Sequence, residues 1–524
     1  MSALAHPGLL AVLPWLPLHF VPAANLVEFL PELVVAAGMV AVLVTDLFTA
    51  PDQRRRLAVM TGAVLLAALL VAVGEWVARV SPHPVFDGAF AADRFGLFAD
   101  FLVLLVALAV TWLSPTYLQR RGLESGEYYV LLLAAVEGML VLSGATNLIV
   151  VFLGIELLSI PLYVLTALNR DDALGQEGAI KYLLLGGFAS AFLVYGMALL
   201  YGETGATSLT RIHAVVLRGA AGGQVDPMLL AGVALIGVGL SFKVSAAPFH
   251  WWTPDVYQGA PVLVTMFMSV ATKVAAFAAF LRIFSVTLGP SRSAWTVPVA
   301  LVAIASMVFG NVVALRQRSL KRMLAYSGIA QAGYVLIGVA IGQPDGTAAS
   351  LYYLAAYAAM NTGAFGILTA LSGRGEDCDD YGALLGLGRR QPLLAALMSL
   401  FLLSLAGFPL TAGFFGKFFL FSAAIHDGQV PLAVWGVLTS AVSLFYYLRV
   451  ILAMFTEPGP VGEPVQVAGM TLAAGAAVPG GLAVVRPTLG ARALLTVLAA
   501  ATLVLGIFPA LVYGLIQGVH LVAG

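Results

Sequence analysis

The chain has 524 residues, of which 61% are hydrophobic and only 10% charged, with 26 basic against 26 acidic side chains. Ordinary soluble domains carry about 25% charged residues, so this composition implies a polytopic membrane protein, and zero net charge gives no case for nucleic-acid binding. The single cysteine, Cys378, excludes a disulfide framework or a cysteine-ligated iron–sulfur cluster built from this chain alone; with no Rossmann fingerprint, P-loop or HExxH motif, redox chemistry has to sit on another polypeptide.

Taken in order, Ala3 to Pro22 is apolar but holds Pro7, Pro14, Pro17 and Pro22 and lacks a basic start. It reads as a loose or interfacial leader, with a cleaved signal as the lesser alternative. A span needs roughly 20 apolar residues. Such runs fall near 24–47, 57–80, 95–113, 127–143, 146–168, 177–201, 228–249, 259–285, 295–315, 320–341, 349–371, 391–426 (interrupted), 431–455 and 492–518. The expected fold is therefore all-α with about fourteen transmembrane helices. Up to Arg390, thirteen basic residues fall in loops after odd-numbered spans and six after even-numbered ones. This places the odd loops in the cytoplasm and both termini outside. Residues 375–390, acidic and then basic, read as a solvated cytoplasmic loop, and 457–490 as a poorly constrained connector.

The basic residues divide into 21 arginines and five lysines: Lys181, Lys243, Lys273, Lys321 and Lys417. Most arginines sit at helix ends or in loops, whereas the lysines fall within or against apolar runs. Arginine stays protonated, while a buried lysine exchanges its proton. An ionisable group inside a span is a functional hypothesis by default. For Lys181 and Lys321, near predicted cytoplasmic ends, snorkelling to the headgroups is an equal alternative. Lys243, Lys273 and Lys417 have long apolar flanks, and snorkelling fits them poorly.

Acidic partners are sparse. Glu156 is the only charge between Asn147 and Asn169 and needs a partner, a proton or water. Pro161, five residues on, is expected to loosen that helix. Glu137 is a weaker case, with a neutral side chain facing a neighbour an equal reading. Glu177 and Lys181 lie at i,i+4 in the favourable order. Glu32 and Asp46 flank the first span as end anchors or subunit contacts.

Two runs are broken. Lys243 precedes Pro248 by five residues, and Lys417 follows Pro409 by eight, with Gly413 and Gly416 between. Discontinuous helices, each with a lysine, in two halves of a transporter-like chain point to an inverted repeat whose pathway runs through the breaks. The freed backbone groups must face protein or a hydrated cavity. His250 is either a proton acceptor or a satisfied interfacial histidine beside Trp251 and Trp252, which read as headgroup anchors. Tyr326, Gln331, Tyr334, Asn361 and Thr362 are candidates to line a water chain, with helix–helix hydrogen bonding as the plainer role.

The run PFHWWTPDVYQGAP followed by the Lys273 segment resembles the antiporter-like subunits of respiratory complex I. RSLKRMLAYSGIAQAGYVLIG and the Glu156 segment FLGIELLSIPLYVL narrow the resemblance to subunit N of bacterial NADH–quinone oxidoreductase, similar to subunit 2 of the mitochondrial and plastid enzymes. It covers about residues 25–455 and, in less detail, the last helix. The resemblance implies fourteen helices in two inverted five-helix repeats: residues 1–126 as leader and first three spans, 127–286 and 287–456 as the repeats, and 457–524 as connector and last span. It implies a proton relay in which Glu156 pairs with Lys243, Lys273 connects, and Lys417 terminates the second half; Glu177 and Lys181 match a charged pair at the sixth helix. Secondary candidates are His250, Lys321 and Glu137. Leu263 departs from the commoner small residue or proline after the GAP turn. The implied role is a proton-translocating subunit of a bacterial inner membrane enzyme, without cofactor or metal of its own. NAD, FMN, iron–sulfur centres and quinone are expected on partner subunits of complex I. The rival readings are an Mrp-type sodium/proton antiporter component, a membrane arm of a hydrogenase- or ferredoxin-linked complex, and a structural scaffold.

Overall fold

The computed structural model describes residues 23–50, 53–78, 83–221, 226–373, 377–458, 464–473 and 487–519. The leader reading and most of the connector reading lie outside these residues. The chain opens with a short helix α1 (Ala23–Glu28), nearly continuous with α2 (Leu30–Leu47), and then α3 (Arg55–Ala78). A small hairpin of β1 (His83–Val85) and β2 (Phe90–Ala92) leads into α4 (Arg94–Arg121). There follow α5 (Gly126–Gly144), α6 (Leu148–Thr166), α7 (Ala173–Thr204), an amphipathic α8 (Leu209–Ala221), α9 (Pro227–Lys243), α10 (Trp252–Gly259) and α11 (Val262–Leu281).

The second half runs α12 (Arg292–Ala314), α13 (Leu320–Ile341), α14 (Pro344–Leu371), the short α15 (Tyr381–Leu384) and α16 (Leu387–Arg390), then α17 (Pro392–Ala406), α18 (Ala412–His426) and α19 (Val430–Phe455). A second hairpin, β3 (Pro464–Val467) with β4 (Met470–Ala473), orders part of the segment expected to be irregular. The described chain closes with α20 (Leu489–Ile507) and α21 (Pro509–Gln517).

Among the described residues, twelve helices are long and apolar enough to cross a membrane. The pairs α9/α10 and α17/α18 are the two interrupted spans, which together with the twelve make up the expected fourteen. Local chemistry sets the boundaries. Asp93, Ser125, Asn147, Asp172, Asp226 and Ser319 each cap a helix N-terminus by accepting a backbone N–H. Pro161 sits inside α6 without ending it.

Every residue of α11 is buried, and α13 and α14 are nearly so. These three helices pack on one another and form the axis of the molecule. The peripheral α2, α3 and α7 bury about a third of their apolar window and present the rest outward, as lipid contact requires. The central helices are therefore where polar side chains are shielded from lipid by protein.

Candidate functional site

Both interrupted spans break next to a lysine. Lys243 is the last residue of α9. Beyond it Ser245 takes a φ of 65° and the Ala247–Pro248 peptide is cis. The freed groups find partners: the Trp252 indole N–H donates to Phe242 O at 3.1 Å, and the Ala247 N–H donates to Ser306 Oγ of α12 at 2.8 Å. In the second half α17 ends at Ala406, and Gly407 has a φ of 91°, where a side chain would be strained. Lys417 of α18 turns back to this end. Its Nζ donates to Leu405 O at 3.0 Å, Ala406 O at 3.1 Å and Ser440 Oγ at 2.8 Å. The Lys417 ammonium thus sits at the C-terminus of α17, where unsatisfied carbonyls favour a cation. The expectation that the broken backbone faces protein or a cavity holds at both sites.

Lys243, Lys273 and Lys417 are 4%, 2% and 3% exposed, which rules out snorkelling for all three. Lys243 Nζ donates to Ser159 Oγ at 2.5 Å and lies 5.8 Å from the Tyr182 ring centroid. Glu156, one turn before Ser159 on α6, is within electrostatic reach of Lys243 but makes no ion pair with it; its Oε1 accepts from Ser190 Oγ of α7. The implied Glu156–Lys243 pair is therefore a pair at a distance, each member held by a serine. Lys273, in the middle of α11, donates to Gly328 O of α13 at 2.6 Å. A Cβ on residue 328 would stand 3.2 Å from Tyr357 Oη and 3.4 Å from Lys273 Nζ, so the missing side chain leaves room for the contact.

A polar series runs through the second half. Lys417 Nζ and Gln331 Nε2 both donate to Leu405 O. Gln331 Nε2 also reaches Tyr447 Oη at 3.2 Å, and Tyr447 Oη is hydrogen-bonded to Ser327 Oγ. Ser327 adjoins Gly328, the acceptor for Lys273. Tyr353 donates to Gln331 Oε1. Tyr334 lies under Lys417, its ring centroid 4.6 Å from Nζ, and its hydroxyl meets Thr439 and Asn311 at 3.3 Å. Tyr326 makes only ring contact with Phe309, while Asn361 donates to Ser269 Oγ at 2.9 Å, and the buried Thr362 hydroxyl has no partner. Among the described residues no comparable chain joins Lys243 to Lys273. A cavity of about 450 Å³, lined by Phe408, Pro409, Phe418, Phe421 and Ser440, opens onto Lys417.

The remaining candidates fall elsewhere. Glu177 and Lys181 pair at 2.6 Å, and Lys181 also meets Asp255 at 2.7 Å, which in turn binds Arg322 at 2.7 Å. This is a half-exposed cluster that shares no contact with Lys243, Lys273 or Lys417 among the described residues. Lys321 does not snorkel: it is buried and donates to Ala260 O and Asp377 Oδ2, both at 3.0 Å. His250 is buried against Phe309, with Nδ1 unpartnered. The tryptophan pair splits. Trp251 is exposed, but Trp252 is buried and stacked on Tyr182 at 4.5 Å, because its indole N–H is needed to close the first break. Glu32, expected as an end anchor or subunit contact, is buried within the chain.

Two features were not legible in sequence. Asp93 and Arg282, 189 residues apart, form a fully buried ion pair with contacts of 2.7 and 3.0 Å. Asp377 and Asp379 belong to the loop read as solvated, yet both are substantially buried. Asp377 accepts from Tyr117 Oη at 2.7 Å, the Val262 N–H at 3.0 Å and Lys321, with Arg121 Nε at 3.5 Å. Asp379 accepts from Ser319 Oγ and the Lys321 N–H. The loop therefore clamps the first turns of α11 and α13. Burial pushes the Asp377 carboxyl up, but Lys321, Tyr117 and Arg121 outweigh it and hold it below the ordinary carboxylate value. Between these carboxylates, burial pushes the Cys378 thiol up to about 12, which makes it an inert core thiol.

Residues 145–443 match the family described as NADH:quinone oxidoreductase/Mrp antiporter, TM. NADH-quinone oxidoreductase subunit N of Trichlorobacter lovleyi is 42% identical over 463 residues, 87% of this chain and 94% of that relative. Subunit N 1 of Solibacter usitatus is 42% identical over 486 residues, 92% of this chain and 94% of that relative. A chain of respiratory complex I from Thermus thermophilus superposes with a TM-score of 0.76 at 33% identity, covering 94% of this chain and all of that one. A chain of the Mrp complex from Dietzia sp. has a TM-score of 0.81 at 24% identity, covering 94% of this chain and 96% of its own, a likeness of fold alone. The matched span takes in both helix breaks and Lys243, Lys273 and Lys417, and the chain belongs to the NADH-quinone oxidoreductase subunit N family, within the wider antiporter-like membrane family.

Proposed function

We propose that this chain relays protons along a midplane row running from Glu156 and Lys243 through Lys273 to Lys417, as a proton-translocating membrane-arm subunit of NADH–quinone oxidoreductase. The observation that carries the reading is the series Lys417, Leu405 O, Gln331, Tyr447 and Ser327, which ends beside the carbonyl that holds Lys273. Lysines suit the task because a buried ammonium gives up its proton when a neighbouring negative charge withdraws. Two unit charges at about 4 Å interact by about 4 kcal/mol at an effective dielectric of about 20, roughly a thousandfold in proton affinity. Ser159 holds the Lys243 ammonium and Ser190 the Glu156 carboxylate, so a movement of either charged group changes their interaction.

The partners are the other subunits of complex I. NAD, FMN, iron–sulfur centres and quinone reside on those partners, and quinone reduction there drives the relay. The site of action is the bacterial inner membrane. The order of elements supports an inverted repeat over 127–286 and 287–456, each half with one interrupted span in fourth place. The test is NADH-driven acidification of closed vesicles holding the assembled complex. Lys273→Met and Lys417→Met abolish the activity assigned to this subunit, with no dependence on sodium. Unchanged proton flux in assembled variants overturns the relay.

A further inference from the structure

Of the buried lysines, Lys321 is the one that the proposed row does not use. It is the second residue of α13, and its Nζ donates to Ala260 O, in the turn before α11, and to Asp377 Oδ2, both at 3.0 Å. The same carboxyl oxygen accepts the N–H of Val262, the first residue of α11, at 3.0 Å. Two side chains thus close a ring that joins the N-termini of α11 and α13. Tyr117 and Arg121 of α4 brace Asp377 from the other side, at 2.7 and 3.5 Å. The neighbouring Arg322 reaches α10 instead, through Asp255 at 2.7 Å and Gln258 at 3.0 Å.

Both helices start at this clamp and pack on one another. Lys273 lies eleven residues beyond Val262, and Gly328 seven beyond Lys321, about 16 and about 10 Å along their axes at a rise of about 1.5 Å per residue. There Lys273 Nζ meets Gly328 O at 2.6 Å, and a Cβ on residue 328 would stand 3.4 Å from Nζ. A closely packed helix carries a displacement at its end along its length, because its surroundings leave it no room to bend. An N–H···O bond spans about 2.7–3.2 Å, so a slide of α13 by one residue's rise breaks the contact. Lys273 is 2% exposed, and the packing around it leaves its side chain little room to follow.

We propose that Lys321 and Asp377 are positioning residues: they set the register of α11 against α13 and so hold Lys273 at the Gly328 carbonyl. Lys321 then serves as a fixed cation and not as a carrier of protons. This rests on the proposed relay, which Lys273→Met tests by itself: wild-type pumping in that variant ends the relay, whereas the outcomes below decide the clamp. The readout is protons moved into closed vesicles per NADH oxidised, in complexes that retain the subunit. Lys321→Met and Asp377→Asn are each expected to lower this ratio several-fold; where one fails to assemble, the other decides. Lys321→Arg keeps the charge and the donors but cannot release a proton, and it is expected to retain most of the ratio. Arginine in a carrier's place has the opposite result, so Lys273→Arg is expected to be inactive. Asp377→Asn combined with Gly328→Ala lowers the ratio no further than the worse single variant, because both act on one contact; for independent sites the losses multiply. A wild-type ratio in Lys321→Met or Asp377→Asn overturns the proposal. So does a Lys321→Arg variant that assembles and is as impaired as Lys321→Met, or a multiplied loss in the double variant. Loss of the subunit from the complex in both Lys321→Met and Asp377→Asn makes the clamp a structural brace only, and overturns it as well.

Discussion

Lys417 and Gln331, on different helices, donate to one backbone oxygen, Leu405 O, at 3.0 and 3.3 Å. A carbonyl at a broken helix end has a lone pair that an intact helix would have used, and here it joins the terminal lysine to the middle of α13. Gln331→Leu removes the join while keeping the volume. Proton pumping by the assembled complex is expected to fall about tenfold or more, the equivalent of about 1.4 kcal/mol in a barrier. Gln331→Glu, which retains an acceptor for Tyr353, retains part of the activity. Vesicle acidification beside quinone reductase turnover checks both.

At the other end of the row, Ser159 is the hydroxyl that Lys243 holds and Ser190 the one that Glu156 holds. Ser159→Ala leaves Lys243 a buried donor without that acceptor, a penalty of about 1–3 kcal/mol. Pumping is expected to fall several-fold with assembly intact. Ser159→Thr, which keeps the hydroxyl, restores it. Equal pumping in wild type and Ser159→Ala excludes the serine from the Glu156–Lys243 coupling.

Asp377 gives a pH dependence of stability. Its carboxyl titrates below its unfolded value, so the stabilisation is fully present above the ordinary carboxylate pKa of about 3.9 and is lost as pH falls through the lower folded value. Asp377→Ala leaves Lys321 buried without its counter-charge and costs about 3–5 kcal/mol at neutral pH. The difference in unfolding temperature between variant and wild type narrows only in acid. A difference that grows on acidification contradicts the assignment.

The Asp93–Arg282 pair ties the N-terminus of α4 to the end of α11 with both side chains essentially inaccessible. Arg282→Met strands a buried carboxylate and is expected to destabilise the subunit by about 3–5 kcal/mol. Asp93→Asn keeps an acceptor for the Gly96 N–H, and the double variant recovers a large part of the loss. Retention of the subunit in the purified complex over a thermal ramp measures the series.

What the sequence announces is what is costly. Lys243, Lys273 and Lys417 stand out because an ammonium in an apolar run demands a reason, and Pro248 and Pro409 because each proline costs an α-helix a backbone bond, a cost that α6 absorbs at Pro161 and the two interrupted spans do not. The fourteen spans follow from the same hydropathy. The connecting groups carry no such mark. Gln331, Tyr447 and Ser327 are ordinary polar residues of a packed helix until their partners are known, and Leu405 contributes only its backbone. Asp377 is hidden for a different reason: loop composition says nothing of burial, and its partners Tyr117, Val262 and Lys321 lie on three separate helices. Trp252 misleads because tryptophan at a membrane edge and tryptophan stacked in a core have the same sequence neighbours.

The 2.8 Å contact between the Ala247 N–H and Ser306 Oγ has a mechanical meaning. The loop that terminates α9 just past Lys243 is fastened to a helix of the opposite half, so that half acts as the anchor against which the loop is gauged. With the ring contact between His250 and Phe309 of the same helix, this contact gives the loop after Lys243 two points of attachment to α12.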